Sequence, residues 1–512
     1  MILANALQKG QKGHGARGLP AGGRTEERAL TKIEPIQSNY RWRALGSDQL
    51  EAIQSASLHT LETVGVRFPS ERALQLFEEH GAQVDRDTQV VRLTPAMVRE
   101  TMSLAPRSYT LSGRAAGTDL VLDGSRSYYG TDGSGTLTVD FETGEERYSC
   151  KEDVAKMARV ADYLSSVAFY WPMVSAQDYG HLAPLHELDA SFNNITKHVQ
   201  TETVMGEMPA RYAVRMAEVI AGDPDRLQAK PPLSALVCTI APLGHDKEGI
   251  EAAMIYAEAG IPVGFMAMPT MGSTAPAVPG GALVIGNCEV VSAMVLMQLV
   301  APGAPVFHAL LASGMDPHTA DYLVSLPQKY LCNAAAVQMA HDWGVPSLAG
   351  TFGLDAAEPA TWQLGRDSVY TALLCALAGT DITIGLGMLK ASTLLRREQI
   401  IFDDEIYHTH RILAEGLDTS SSGLALDIIA EVGPGGHFLA QRHTRRHLRD
   451  VWIPSLTHPR PSLDGTPQPE ICQRARTEFD RILAEHEPEP LEKAAQVELQ
   501  AILDAAQREL GG

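Results

Sequence analysis

The chain lacks any run of about 18 apolar residues without a charge or a helix breaker, the length that a membrane-spanning helix needs. The leader, residues 1–43, also lacks the continuous apolar core of about 7–15 residues that a secretory signal contains. Positive charge is scarce, because 42 Lys and Arg stand against 62 Asp and Glu, which gives a formal net charge of −20. Nucleic acids and anionic membrane surfaces would repel such a chain. We therefore expect a cytoplasmic protein that binds neither.

Cysteine is scarce as well, and its pattern excludes two classes of site. The six cysteines form no CxxC pair, and most lie in apolar segments such as TALLCALAG (371–379). This pattern favours buried free thiols in a reducing compartment over a disulfide framework or a zinc site. His443 and His447 have metal-ligand spacing, but three arginines crowd them and the glutamate of an HExxH motif is missing. We expect no metal site.

Two nucleotide-binding motifs are also missing. No G-x-G-x-x-G sequence follows a strand-like segment, which counts against a dinucleotide-binding fold and makes a nicotinamide-dependent oxidoreductase a weak alternative. The Gly-rich sequence at 433–436 lacks the Lys-Ser/Thr pair of a phosphate-binding loop.

The residues before the predicted catalytic domain fall into two parts. The sequence KGQKGHGARGLPAGGR (9–24) is basic, Gly-rich and almost free of apolar residues, so we predict a disordered basic arm over residues 1–46. From Ser47, apolar residues recur at helical spacing, and Thr94 is a candidate cap of a later helix. Short β-like pieces follow, so residues 47–126 are predicted as an N-terminal α/β extension.

Eight short apolar segments alternate with long helical ones between residues 127 and 400. Such repeated β-helix-β units indicate a parallel sheet covered by helices. Eight units fit a closed (β/α)8 TIM barrel better than an open doubly wound sheet, which remains the rival. Residues 401–512 are predicted as helices packed on the barrel. The strand segments are 127–133, 167–173, 197–204, 233–243, 261–270, 304–313, 345–353 and 380–388.

The active site of such a barrel lies at the carboxyl ends of its strands. Asp132 lies among small residues in GTDGSG, where its carboxylate could pair with a cationic substrate, although an Asx turn explains the sequence equally well. Tyr170 and Trp171 could form an aromatic wall for a quaternary ammonium group, or could pack in the core. His308 is a candidate catalyst or a hydrogen-bonded core residue.

We thus predict Asp132 and His308 as catalytic residues. The predicted substrate-binding residues all lie at or just beyond strand ends. They are Asp132, Tyr170, Trp171, Glu202, Met266, His308, Thr351, Asp355 and Gly385.

Long stretches of the chain, from about Ser47 to the C-terminus, resemble the trimethylamine methyltransferase family, and their order agrees throughout. The most specific are VDFETGEERYSCKEDVAKMARVADYL (139–164), NNITKHVQTET (193–203), GSTAPAVPGGALVIGNCEVVSAMVLMQLVAPGAPV (272–306), REQIIFDDEIYHTHRIL (397–413) and IIAEVGPGGHFLAQRHTRRHLRDVWIPSL (428–456).

The resemblance implies a (β/α)8 barrel that moves a methyl group from a methylated amine to the Co(I) of a separate corrinoid protein. No cofactor would be tightly bound, because the cobalamin-type corrinoid is carried by that partner. The resemblance also suggests a homo-oligomer. Asp132 falls where the branch of the family without pyrrolysine places a substrate-contacting carboxylate.

The sequence departs from the founding member of that family in one respect. That enzyme carries pyrrolysine at the end of a barrel strand, near the position of Thr351, whereas this chain has ordinary residues throughout. Like the branch that demethylates glycine betaine, the chain is therefore expected to act on quaternary amines. The family's usual Asp-Ser-Lys segment is replaced here by Gly353-Leu-Asp355, so substrate contacts there are expected to differ. The alternative is a barrel that binds such amines, or performs other C–N chemistry, without a corrinoid partner.

Overall fold

The computed structural model describes residues 32–353, 355–459 and 467–510. Each of the eight predicted strand segments contains a strand. We label these strands in chain order as β1 (Tyr128–Thr131), β2 (Phe169–Tyr170), β3 (His198–Thr201), β4 (Leu233–Ile240), β5 (Val263–Ala267), β6 (Val306–Leu310), β7 (Ser347–Leu348) and β8 (Ile382–Leu386).

The eight strands close into a barrel. Each strand pairs in parallel with the next one along the chain. The last strand, β8, pairs in parallel with β1, so the sheet has no free edge at this point. The prediction of a (β/α)8 barrel is therefore confirmed.

A helix follows each strand and covers the outside of the barrel. The sequence explains several of the helix ends. Asp246 and Thr361 accept hydrogen bonds from the first turns of α4 and α7, and Gly344 and Gly379 end α6 and α7 in the left-handed conformation. The helices are α1 (Lys151–Tyr163), α2 (Ala183–Asn194), α3 (Glu207–Ala221), α4 (Lys247–Glu258), α5 (Pro279–Val300), α6 (Pro327–Trp343), α7 (Trp362–Ala378) and α8 (Gln399–Glu415).

Side chains alternate between the barrel interior and the helix layer along the strands. Phe169, Phe307 and Ile382, which come from different sides of the barrel, belong to one buried apolar cluster. Because strands all around the barrel contribute to this cluster, it occupies the barrel axis. The neighbouring residues Tyr170 and Val306 pack instead in the cluster between strands and helices.

A β-hairpin closes the amino-terminal end of the barrel. Its strands, Tyr109–Leu111 and Leu120–Leu122, pair antiparallel and contribute Leu111, Leu120 and Leu122 to the axial cluster. After the first strand the Ser112 N–H donates to the Pro231 carbonyl just before β4, and after the second the Gly124 N–H donates to the Asp381 carboxylate just before β8. The opposite, carboxyl end of the barrel therefore remains open to a ligand.

The predicted N-terminal α/β extension packs on α5. Thr94 caps its helix as predicted, by accepting a hydrogen bond from the Met97 N–H. Helix α5 is the one helix in the described ranges that is long and apolar enough to cross a membrane. It is mostly buried between the barrel and the extension, and this accounts for its composition. The helices of the extension are Ser47–Thr63, Glu71–Glu79 and Pro95–Met102, and its strands are Val66–Arg67, Gln83–Asp85 and Val90–Arg92.

The last part of the predicted disordered arm, residues 32–46, instead runs along the barrel. Ile36 is buried and pairs with Ser127 in a β-bridge, and the Trp42 N–H donates to the Leu377 carbonyl. The prediction is wrong for this stretch because its apolar side chains find a surface to cover. Residues 1–31 of the arm lie outside the described residues.

Helices follow the barrel, as expected for the C-terminal region. Ile471–Glu485, which the sequence analysis did not single out, packs on α1 and α8, and Lys493–Leu510 packs on α2 and α3. The exact domain boundaries remain a prediction. The other helices here are Ser421–Leu424, Leu426–Val432 and Arg442–His447, and the remaining strands are Leu137–Val139, Glu146–Tyr148, Gly244–His245, Thr270–Met271, Ser313–Met315, Tyr322–Leu323, Met388–Leu389 and Leu394–Leu395.

The absence of a side chain at Gly264 makes room for a ring in the barrel interior. A Cβ there would lie 1.9 Å from the buried Phe307 ring. We expect Gly264→Ala to destabilise the fold by about 1–3 kcal/mol through overpacking, measured as a lower Tm. Gly365→Ala on α7 is the matched control, since a Cβ there meets nothing within 4 Å and alanine favours helix. Equal Tm values for the two variants would contradict this packing.

Candidate functional site

A cavity of about 430 Å³ opens at the carboxyl end of the barrel. This volume is within the range of small-molecule sites. Its walls come from strand ends, from the loops that follow them and from the start of α6. The lining residues are Asp132, Gly133, Trp171, Glu202, Met266, Met268, Leu311, Tyr322, Val324, Lys329, Thr351, Ile384, Ala391 and Ser392.

Two carboxylates lie on one side of the cavity, just beyond β1 and β3. Asp132 Oδ2 accepts a hydrogen bond from Ser392 Oγ at 2.6 Å. The Glu202 carboxylate accepts from Ser134 Oγ at 3.1 Å and from Cys238 Sγ at 3.2 Å. No Lys, Arg or His in the described part of the chain forms an ion pair with either group. Both carboxylates are therefore oriented by neutral donors and lack a cationic partner.

The protonation of Asp132 follows from its surroundings. Its side chain is buried, and burial raises the pKa of this carboxyl to about 6, although the Ser392 hydrogen bond opposes the shift. At neutral pH the group is therefore mainly ionised. Burial also raises the pKa of the neighbouring Cys238 thiol well above its usual value, so that thiol stays protonated and can donate to Glu202.

The indole of Trp171 lies between these two carboxylates, at the end of β2. A Cβ on Gly133 would lie 2.4 Å from the indole Nε1, so the glycine allows the ring to pack on the backbone next to Asp132. Within the described ranges the buried Nε1 has no hydrogen-bond partner. The ring therefore lines the cavity beside the acidic groups, with its N–H packed against the Gly133 backbone.

A buried lysine lies on the other side of the cavity, at β6 and β7. Lys329 is the third residue of α6, and its Nζ donates to Thr351 Oγ1 at 3.2 Å. The side chain is almost completely buried, and burial lowers the pKa of this ammonium to about 8. It is therefore mainly protonated at neutral pH. Apolar side chains, including Met266, Leu311 and Ile384, line the wall elsewhere.

Five of the residues predicted from the sequence line this cavity. They come from five different strand ends, which the closed barrel brings together as expected. Their functional roles remain predictions. These residues are Asp132, Trp171, Glu202, Met266 and Thr351.

Tyr170 and His308 require a correction, because both point out of the barrel. Tyr170 Oη donates to the Val154 carbonyl on α1 at 3.0 Å. His308 Nε2 lies 3.1 Å from Oδ1 of Asn287 on α5, and burial lowers the pKa of the imidazole to about 4. Each residue follows an inward-facing phenylalanine, so strand alternation turns it toward the helices. Neither side chain can contact a substrate in the cavity.

Asp355 and Gly385 also lie outside the cavity lining. The Asp355 carboxylate accepts the backbone N–H groups of Val324 and Ser325, at 3.0 and 2.7 Å. It therefore shapes a loop that lines the cavity. Gly385 has a φ of +106°, and a Cβ there would lie 2.6 Å from the Phe352 backbone nitrogen. Its role is to permit close backbone approach between β7 and β8.

The sequence analysis missed Lys329, Tyr322 and Ser392, which line the cavity from beyond the strand ends. A signal existed for the lysine, since it is a lone charge near the start of a helix that is rich in apolar residues. No comparable signal marks the other two, since Tyr322 lies in a two-residue strand outside the barrel and Ser392 lies in a turn. In the described ranges, no group of three or more His, Cys, Asp and Glu side chains could hold a metal ion.

Comparisons with known proteins show which family this sequence resembles. The sequence model of the family described as trimethylamine methyltransferase (MTTB) matches residues 14–511. The trimethylamine methyltransferase MttB of Desulfitobacterium hafniense is 31% identical over 467 residues, which cover 91% of this chain and 94% of that protein. The glycine betaine methyltransferase of the same species is 30% identical over 480 residues, covering 92% of this chain and 98% of that protein.

Among solved structures, the monomethylamine methyltransferase of Methanosarcina barkeri has a TM-score of 0.42 and 11% identity, covering 91% of this chain and 92% of that one. The barrel itself is established by the strand pairing described above. The match to the family model spans nearly the whole chain, including every strand that builds the cavity. The chain therefore belongs to the trimethylamine methyltransferase family, and it is a methyltransferase.

Proposed function

We propose that the protein transfers a methyl group from a quaternary amine of the glycine betaine type to the Co(I) of a corrinoid protein. The observation that carries this proposal is the pair of carboxylates, Asp132 and Glu202, which flank the Trp171 indole without a cationic partner. A buried carboxylate that has no ion-pair partner, as Asp132 has none among the described residues, attracts a cation. An indole face adds cation–π attraction for a quaternary ammonium group. The names of the relatives support an amine as methyl donor.

The reaction is a displacement at a methyl carbon. The bond between the methyl carbon and nitrogen breaks, and nitrogen keeps the electron pair and leaves as a neutral tertiary amine. The Co(I) centre of the corrinoid, which is a second substrate carried by a partner protein, supplies the electron pair of the new bond. Because the positive nitrogen leaves as a neutral amine, no proton transfer is needed.

The chain's own residues would position the donor. The acidic side of the cavity holds the ammonium group, and the apolar wall excludes water from the methyl groups. The open carboxyl end leaves one methyl accessible from outside, where a bulky acceptor can approach. An Asp132 carboxyl that is mainly ionised at neutral pH suits the binding of a cation better than the protonation of a leaving amine.

The proposed setting is a cytoplasmic one. Cys288, Cys332 and Cys375 are buried as free thiols, which is typical of proteins in a reducing compartment. A homo-oligomeric state remains part of the proposal. So does the absence of a tightly bound cofactor, since the corrinoid would arrive on its own protein.

Methyl transfer can be tested directly with the purified protein under anaerobic conditions. A Co(I) corrinoid protein or free cob(I)alamin is mixed with a panel of quaternary amines, and the Co(I) absorbance is followed. We expect one amine to convert it to the methyl-Co(III) spectrum. If no amine does so while one still raises the Tm, the protein is instead an amine-binding barrel.

Asp132→Asn removes the negative charge and keeps the size of the side chain. Because the cation then loses a buried ionic partner, we expect kcat/KM for the active amine to fall about ten- to hundredfold. Asp119→Asn is the matched control, since Asp119 forms a surface ion pair with Lys230. The proposed role of Asp132 would be wrong if both variants retained the activity of the unaltered protein.

The pKa of Asp132 also predicts a pH dependence. Binding of a cation requires the ionised carboxylate, so apparent KM should be constant above about pH 6 and should rise as the pH falls below it. Asp132→Asn should remove this inflection while leaving KM high throughout. Steady-state kinetics with the active amine at pH values above and below about 6 measures the effect. If the variant kept the same inflection, the titrating group would be one other than Asp132.

A further inference from the structure

The methyl transfer proposed above makes no use of Lys329. Its ammonium group lines the cavity and is almost completely buried. It donates one hydrogen bond, to Thr351 Oγ1 at 3.2 Å, although an ammonium group has three N–H donors. It forms no ion pair with any carboxylate of the described residues. Burying a charge with so few partners costs folding free energy, unless a ligand supplies the missing hydrogen-bond acceptors and the opposite charge.

The acidic groups around Lys329 do not neutralise it. Asp355 attracts it most strongly, but the oxygens of Asp355 accept the backbone N–H groups of Val324 and Ser325. Asp132 attracts it more weakly from the other side of the cavity. Burial outweighs these attractions, because the pKa of the ammonium is lowered and not raised.

The cavity therefore has two poles. Asp132, Trp171 and Glu202 follow the consecutive strands β1, β2 and β3, whereas Thr351 follows β7 and Lys329 lies in the helix after β6. In an eight-stranded barrel, β2 and β6 face each other across the axis. The acidic groups are thus centred on β2, and the Lys329 ammonium lies at β6 and β7; we call these the acidic pole and the basic pole. Asp132, which follows β1, is the acidic group nearest to Thr351 around the barrel, and apolar side chains line the rest of the wall.

We infer that Lys329 binds a carboxylate of the substrate, with Thr351 beside it, and that the protein selects zwitterionic quaternary ammonium carboxylates over simple quaternary cations. This inference rests on the proposed function. A zwitterion places its positive group at the acidic pole and its negative group at the basic pole, so both poles are paired. A cation without an acidic group leaves the Lys329 ammonium buried and unpaired.

The inference is tested by binding, without the corrinoid partner. Lys329→Met removes the charge and keeps an unbranched side chain of similar length. Calorimetric titration compares glycine betaine with tetramethylammonium, which carries the same positive group and no carboxylate. We expect the variant to bind glycine betaine about ten- to hundredfold more weakly than the unaltered protein. Its affinity for tetramethylammonium should be unchanged or higher.

Lys230→Met, at a surface lysine paired with Asp119, serves as the control and should change neither affinity. Equal loss of both ligands in the Lys329→Met protein would overturn the inference, and so would unchanged affinity for glycine betaine. If that variant fails to fold, the unaltered protein still decides, because it must bind glycine betaine more tightly than glycine betaine amide. Failure of methyl transfer to cobalt would reject the proposed function while leaving this ratio of affinities measurable.

Discussion

The organisation of the site depends on the alternation of side chains along the strands of a closed barrel. Because the barrel is closed, each strand residue faces either the axis or the helix layer. Phe169 and Phe307 face the axis, so Tyr170 and His308 must face the helices. The next inward position after Phe169 is Trp171, which is where the strand ends and the cavity begins. The same geometry that fills the barrel with apolar side chains thus determines which groups can meet a ligand.

The charged side chains of the cavity determine which ligands it can bind, and they come from a few defined places in the fold. An apolar cluster fills much of the barrel interior below, and the charged groups of the cavity come from beyond the strand ends and from the start of α6. Asp132 and Glu202 are oriented by hydroxyl and thiol donors, and Lys329 by a hydroxyl. Neutral donors fix these groups without neutralising them. A ligand of complementary charge is therefore what this arrangement lacks, and this connects the fold to the binding of a charged amine.

Much of the fold can be predicted from the sequence, because the barrel strands are nearly all-apolar segments and the helices between them are long enough to cover them. Strand ends also indicated Asp132, Glu202 and Thr351, since these side chains must meet at one end of the barrel. Whether a strand side chain points into or out of the barrel was harder to predict from the sequence. Strand β2 has two residues, too few to reveal which of Tyr170 and Trp171 faces inward. Lys329 was not predicted because it enters the site from a helix. Asp355 lies outside the cavity lining because its carboxylate accepts N–H groups of a neighbouring loop, a tertiary contact that the sequence does not reveal.

The proposed function requires that the cavity recognise the positive charge of a quaternary nitrogen. Its most direct test is a calorimetric comparison of glycine betaine with its carbon isostere, in which a quaternary carbon replaces the nitrogen and the shape and the carboxylate are retained. Since cation–carboxylate and cation–π attraction act only on the charged ligand, glycine betaine should bind at least about tenfold more tightly. Equal affinities would contradict the account, because they would mean that the cavity recognises shape and carboxylate alone.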